Sequence, residues 1–305
     1  MATLNEQVNE IMSESSSKAV KREKLLKIGV SISSIEHLFW VDKQAKKRAR
    51  REQGDTQPRP RSPRIFNKYT FGVEIECYNA SVGNLVSIAQ SKGLAMQYEH
   101  YNHENRPHYK LTTDGSIQGN NAVECVTPVL KGQKGLNSLK VCCDSLNEVG
   151  AMVNKTTGLH VHVGGRITEQ QYCNVFANYY RLESVIDKFM APSRTDNRYA
   201  KTLRNCPGLV WCTTYDNVRN ELNRSRYYKV NCMAMNAHGT IEFRQHQGTT
   251  DFQKIAMWVR FCVKLVDWSA THKLTHNVTS VADIEFLNAE EKAFFTERTN
   301  HFSNN

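Results

Sequence analysis

The chain has no apolar run approaching the roughly 18–20 residues that a membrane-spanning helix requires. It also contains no Cys-x-x-Cys. Its nine cysteines are odd in number and scattered, so neither a paired-cysteine zinc site nor a disulfide framework is expected. They read as reduced core residues. With Glu6, Glu10 and Glu14 preceding any apolar stretch, a secretory leader is not expected and the default compartment is the cytoplasm. The Gly-x-x-x-x-Gly-Lys-Ser/Thr phosphate loop and the Gly-x-Gly-x-x-Gly dinucleotide fingerprint are both missing, which excludes the two commonest nucleotide sites. No RRM, KH, zinc-finger or helix-turn-helix signature occurs, and no internal repeat.

What is present is enough for a core. Of 305 residues, 40% are hydrophobic and 23% charged, which suits one large domain with an appendage. The net charge is +10, unevenly spread. Residues 1–64 hold 14 Lys and Arg against 8 Asp and Glu, a net of +6, mostly between Lys43 and Arg64. Pro58, Pro60 and Pro63 then forbid a helix. The expected organisation is an N-terminal extension (1–64) and a folded domain (65–305). The extension has a polar start (1–20) that reads as loose or as a frayed helix, then an amphipathic helix (24–42), the basic run and a proline connector. The basic run reads as a solvated linker face, with an anionic macromolecule such as nucleic acid as the alternative partner.

Beyond Ile65, period-two stretches predict strands over residues 69–78, 94–100, 108–113, 121–127, 158–164, 227–234 and 240–246. Helices are predicted over 81–92, 133–153, 168–190, 250–271 and 281–295. Thr168 and Gln171 form a T-x-x-Q capping signature. Asp114-Gly115-Ser116 and His238-Gly239 read as turns. Antiparallel-looking strand sets with long helices predict an α+β fold: a cupped antiparallel sheet backed by helices.

Four of these strands carry chemistry on one face. In Phe71-Gly72-Val73-Glu74-Ile75-Glu76-Cys77 both carboxylates share a face and the aliphatics share the other. In Leu159-His160-Val161-His162-Val163 both imidazoles do the same. Thr240, Glu242, Arg244 and His246 line one face of the last strand by the same rule, and Glu124 stands alone on its strand. Glu-x-Glu alone is a common solvated face, and Glu-Phe-Arg can be a cross-strand ion pair. Together the set is harder to explain by solvation. Carboxylates gathered about 5 Å apart at an effective dielectric of about 20 repel by roughly 3 kcal/mol a pair. Divalent cations offset that repulsion, and a carboxylate-rich set favours Mg²⁺ or Mn²⁺ over zinc.

The stretches FGVEIE, LTTDGSI, VECVTPVLKG, GLHVHVG, SRYYKVN and TIEFRQHQGT occur in that order between about Lys68 and Asp267. In this the chain resembles the amidoligase family, carboxylate–amine ligases with glutamine synthetase-like or glutamate–cysteine ligase-like catalytic domains. The resemblance implies a glutamine synthetase-like cupped sheet and an ATP- and metal-dependent enzyme that joins a carboxylate to an amine through an acyl phosphate, as an amide or isopeptide bond. It implies Glu74, Glu76, Glu124, His160 and Glu242 as metal ligands. His162 would lie beside nucleotide or metal, and Arg244 would meet the transferring phosphoryl group. Arg226, with Arg194, Arg198 and Lys201, would serve phosphates or a substrate carboxylate. The implied catalytic set is Arg244, Glu76 and Arg226. Substrates would be an amino acid, a peptide or a protein side chain. Two alternatives stay open: a zinc-dependent hydrolase using His160, His162 and His246, and a non-catalytic domain tethered by its basic arm.

Overall fold

The computed structural model describes residues 3–14, 18–31, 34–35, 38–39, 65–102 and 104–303. The chain divides into two compact units, Met1–Arg61 and Ser62–Asn305.

In the first unit, helix α1 (Leu4–Ser13) begins at a reciprocal cap. The Thr3 hydroxyl accepts from the Glu6 N–H at 3.3 Å, and the Glu6 carboxylate accepts from the Thr3 N–H at 2.7 Å. Of the two readings of this stretch, loose or frayed helix, the structure has the helix, and it starts with a cap. Helix α2 (Lys18–Lys27) stops before Gly29, whose φ of +86° is left-handed. This interrupts the single helix expected over 24–42, although residues 34–35 and 38–39 are helical again. Ile11, Leu25 and Ile35 form a small core. The basic run and the proline connector lie outside the described residues.

The second unit is a mixed α+β structure. It has strands β1 (Thr70–Cys77), β2 (Met96–Tyr98), β3 (Tyr109–Thr112), β4 (Val123–Val126), β5 (Leu130–Lys131), β6 (Gly158–Gly164), β7 (Val230–Asn231) and β8 (Thr240–Gln247). They form one open sheet in the order β2-β3-β4-β1-β6-β8-β7, with β5 also pairing β1. Every pairing is antiparallel except β2 with β3. The helices are α3 (Ile65–Lys68), α4 (Val82–Ser91), α5 (Gly132–Glu148), α6 (Glu169–Lys188), α7 (Tyr215–Glu221), α8 (Ala234–His238), α9 (Phe252–Trp268) and α10 (Ala289–Ser303). The apolar faces of β1, β4, β6 and β8 share one core with α4, α5, α6 and α9. That core claims Phe71, Val73, Ile75, Cys125, Leu159, Val161, Ile241 and Phe243, leaving the other face of the same strands free for polar groups.

Four expectations change. Helix α5 ends at Glu148 rather than 153, because Gly150 takes φ +78°. Thr168 does cap α6, accepting from the Gln171 N–H at 3.2 Å, but the Gln171 side chain turns inward to Tyr69 and the Val266 carbonyl, so no reciprocal box closes. The strand expected over 227–234 is only β7. The chain then makes the short helix α8, ended by Gly239 at φ +66°. The last helix starts at Ala289 instead of 281, where reciprocal bonds between Asn288 and Glu291, both 2.9 Å, cap it. Residues 281–283 form only a 3₁₀ turn.

Candidate active site and metal centre

Strand register brings the chemical groups together. Glu74 of β1 lies opposite His160 of β6, and Glu76 lies opposite Glu124 of β4. His162 of β6 lies opposite Glu242 of β8. Side chains facing each other across antiparallel strands stand about 4.5–5.5 Å apart on the same face. A cavity of about 760 Å³ opens onto this face, lined by Glu74, Glu76, Glu124, His160, His162 and Glu242, with Arg194, Arg226 and Arg244.

Glu74 is the hub. His160 Nδ1 donates to Glu74 Oε2 at 2.8 Å, and His162 Nε2 lies 3.3 Å from Glu74 Oε1. His160 Nε2 lies 3.6 Å from Glu76 Oε1. The other Glu76 oxygen accepts from the Gly158 N–H at 2.6 Å. A Cβ at residue 158 would stand 3.2 Å from His160 Nε2 and 3.5 Å from Glu76 Oε2, so a side chain there would press on the His160 ring and glycine leaves it room. Glu242 accepts from Arg244 Nη1 and from Asn231 Nδ2, each at 2.5 Å.

The electrostatics are uneven. Burial favours the neutral form of Glu74, but the hydrogen bond from His160 and the close imidazole of His162 outweigh it and hold its carboxyl well below the usual range. At Glu242 burial is likewise opposed, by Arg244 and His162, and the carboxyl is lowered. Burial lowers His162, but Glu242 and Glu74 outweigh it and raise its imidazole. Glu124 goes the other way. Burial, then Glu74, Glu76, Asp114 and Glu242, push its carboxyl well above the ordinary value.

Three overlapping ligand sets result: Glu74, His162 and Glu242; Glu74, Glu124 and His160; Glu76, Asp114 and Glu124. Within each, donor atoms lie within 4.8 Å of one another. The residues fit divalent cations on two counts. Five carboxylates with two imidazoles form a hard, anionic donor set. The buried His162 Nε2 has no hydrogen-bond partner, although it faces Glu74 and Glu242. Asp114 was read as a turn residue. It does make that turn, accepting from the Ser116 N–H at 2.7 Å, while its carboxylate joins the third set. The signal available was the acid directly after a strand whose neighbour carries Glu124.

His246 leaves the site. A register shift lies between Leu159 and Val161: Val161 pairs with Phe243, but Leu159 pairs with His246. The extra residue in β8 flips His246 to the helix side, where its ring packs 5.7 Å from Trp258. Burial there, with Arg298 nearby, pushes its imidazole down to about 3. The three-histidine zinc set is therefore not assembled. Arg194 reaches the same bulge, donating to the carbonyls of Arg244 at 2.5 Å and Gln245 at 3.2 Å. Arg198 and Lys201 are exposed and are not among the cavity-lining residues. Among the described residues, no helix is long and apolar enough to cross a membrane.

Comparison with curated proteins finds no match. The sequence profile of the family described as "Putative amidoligase enzyme" matches residues 67–207 and 208–266, the span that carries every residue of the acidic floor, and the chain belongs to that family.

Proposed function

We propose that the protein is an ATP- and Mg²⁺- or Mn²⁺-dependent ligase that joins a carboxylate to an amine through an acyl phosphate. The observation that carries this reading is the convergence of three overlapping carboxylate-rich sets, two of them with an imidazole, beside Arg244 in one cavity. Bound dications would neutralise phosphate oxygens and hold the β- and γ-phosphates for in-line transfer.

The chain's own residues supply the rest. Glu242 and Tyr199 fix Arg244: Nη1 is held by the Glu242 carboxylate at 2.5 Å and Nε by the Tyr199 carbonyl at 3.4 Å. The remaining guanidinium N–H groups are left to meet the equatorial oxygens of the moving phosphoryl group. Asn231 holds the second Glu242 oxygen, so the acid keeps its orientation as charge shifts around it. Glu76, anchored by the Gly158 N–H, and Glu74, held by His160, are fixed donors that would hold the dications to which the phosphates bind. Arg226 at the mouth receives a substrate carboxylate. In the first step a carboxylate oxygen bonds to the γ-phosphorus and the bond to ADP breaks. In the second the amine nitrogen bonds to the acyl carbon, releasing phosphate and a proton.

The test is ADP release over mixed amino acids and peptides with Mg²⁺, read alongside mass spectrometry for condensation with loss of water. Glu76→Gln is expected to lower ADP release by roughly 100-fold or more while the protein stays folded. Unchanged turnover in that variant would remove Glu76 from the site and the metal-dependent reading with it.

A further inference from the structure

Beyond the cavity, at the β7 edge of the sheet, two segments carry alternating cations and aromatic rings. The Lys201 N–H donates to the Tyr227 carbonyl at 2.8 Å, and the Lys229 N–H to the Lys201 carbonyl at 3.1 Å, so the segment around Lys201 pairs with the residues leading into β7. Side chains stack along this pair. The Arg198 guanidinium lies 4.9 Å from the Tyr199 ring. Tyr199 meets Tyr227 edge-on at 6.1 Å, and Arg226 lies 5.4 Å from the Tyr227 ring. The Lys201 ammonium lies 6.0 Å from Tyr228. The order is Arg198, Tyr199, Tyr227, Arg226, a continuous ladder with a guanidinium at each end.

We infer that this ladder docks an oligoanionic peptide, one bearing several carboxylates along an extended chain. The name "substrate" for that peptide rests on the ligase reading above, whereas the docking site does not. Three observations carry it. Arg198, Lys201 and Arg226 are exposed, and among the described residues none of them pairs with a carboxylate. The acid in the segment 194–202, Asp196, is occupied by the Thr202 N–H at 3.0 Å. Exposed cations stacked on rings are pre-oriented, so less freedom is lost when they bind.

Continuity with the cavity is the second observation. Tyr199, Arg226 and Tyr227 line both the ladder and the mouth, so a chain lying on the ladder leads one carboxylate toward Arg244. A free amino acid, with at most one carboxylate to spare, cannot engage both ends. Thirdly, the ladder is held from beneath. The buried Lys229 ammonium pairs with Glu183 at 2.5 Å and Asp187 at 2.6 Å, and the Arg244 N–H donates to the Lys229 carbonyl at 2.8 Å. The chemistry of the rungs favours carboxylates over nucleobases. Guanidinium groups already lie over the Tyr199 and Tyr227 rings; their N–H groups suit bidentate carboxylate contacts, whereas stacked bases need bare ring faces.

The experiment is fluorescence anisotropy on the full chain with labelled hexaglutamate, hexaglutamine as the uncharged control and hexauridylate as competitor, all without nucleotide. Hexaglutamate is expected to bind roughly tenfold or more tighter than hexaglutamine, and more weakly as salt rises. Arg198→Glu and Arg226→Glu are each expected to weaken it about tenfold. Arg198→Glu should leave both the melting temperature and its response to Mg²⁺ and ATP unchanged. Hexaglutamate binding indifferent to both variants would belong to the basic arm and overturn the proposal. So would equal binding of hexaglutamine, or tighter binding of hexauridylate. Ladder-dependent binding in a protein that shows no response to Mg²⁺ and ATP would sink the ligase reading and leave the docking site standing.

Discussion

Glu74 and Glu124 sit on neighbouring strands of one sheet and titrate in opposite directions. Glu74 has two imidazoles to share its charge, whereas Glu124 has burial and four acids around it. An acid whose folded value is raised contributes most below the unfolded value of about 4.5, and that contribution is lost as pH rises through the folded value. Without metal, Glu124→Gln should therefore melt higher than the native chain at pH 7, by roughly 3 °C for about 1 kcal/mol. The gain should vanish below about pH 4.5, and with saturating Mg²⁺ the order should reverse. Thermal melts across pH, with and without Mg²⁺, check this; a variant less stable than the native chain in all conditions would contradict it. At this scale most of the site was legible, because period-two alternation alone puts Glu74 with Glu76 and His160 with His162 on a shared face. Asp114 was hidden by its turn, which any Asp-Gly-Ser makes without being a ligand.

The last strand shows where alternation stops being a guide. Alternation carries Arg244 into the cavity beside Glu242, but one extra residue in β8 then sends His246 to the helices, and no hydrophobic pattern announces it. The Gln245 side chain, at the bulge, is held from both sides: Tyr179 Oη donates to its Oε1 at 2.5 Å, and its Nε2 donates to Asp187 Oδ1 at 2.6 Å. Asp187 also pairs with Lys229. Lys229→Met would leave Glu183 and Asp187 without that cation, at a cost of roughly 3–5 kcal/mol. Exposed Lys201→Met should stay within about 0.5 kcal/mol. Urea denaturation of both variants tests this, and a loss under about 1 kcal/mol for Lys229→Met would show that the cluster does not hold the bulge. Element boundaries failed for similarly local reasons. Reciprocal side-chain caps at Thr3 and Asn288 start helices where hydrophobic periodicity gives no sign of a boundary. Gly29 and Gly150 end helices that periodicity would extend.

Across the whole molecule, the site depends on strand order. β1 sits between β4 and β6, and β6 between β1 and β8, so residues from Glu74 to Glu242 meet only once the sheet is complete. Pairings of that separation leave no trace in local patterning; the strands other than the two-residue β5 could be named from the sequence, but not their neighbours. The acidic floor is therefore a product of the complete fold, and on the proposed reading its electrostatic cost is what bound cations would relieve. The most direct test is Mn²⁺ binding to the intact chain, followed by calorimetry with the Glu74→Gln variant alongside. The account requires saturable binding of more than one Mn²⁺ per chain. Because Glu74 is shared by two of the three ligand sets, Glu74→Gln should remove most of that binding while the variant remains folded. A native chain that takes up no Mn²⁺ at millimolar concentration, or a Glu74→Gln variant that binds as much as the native protein, would contradict it.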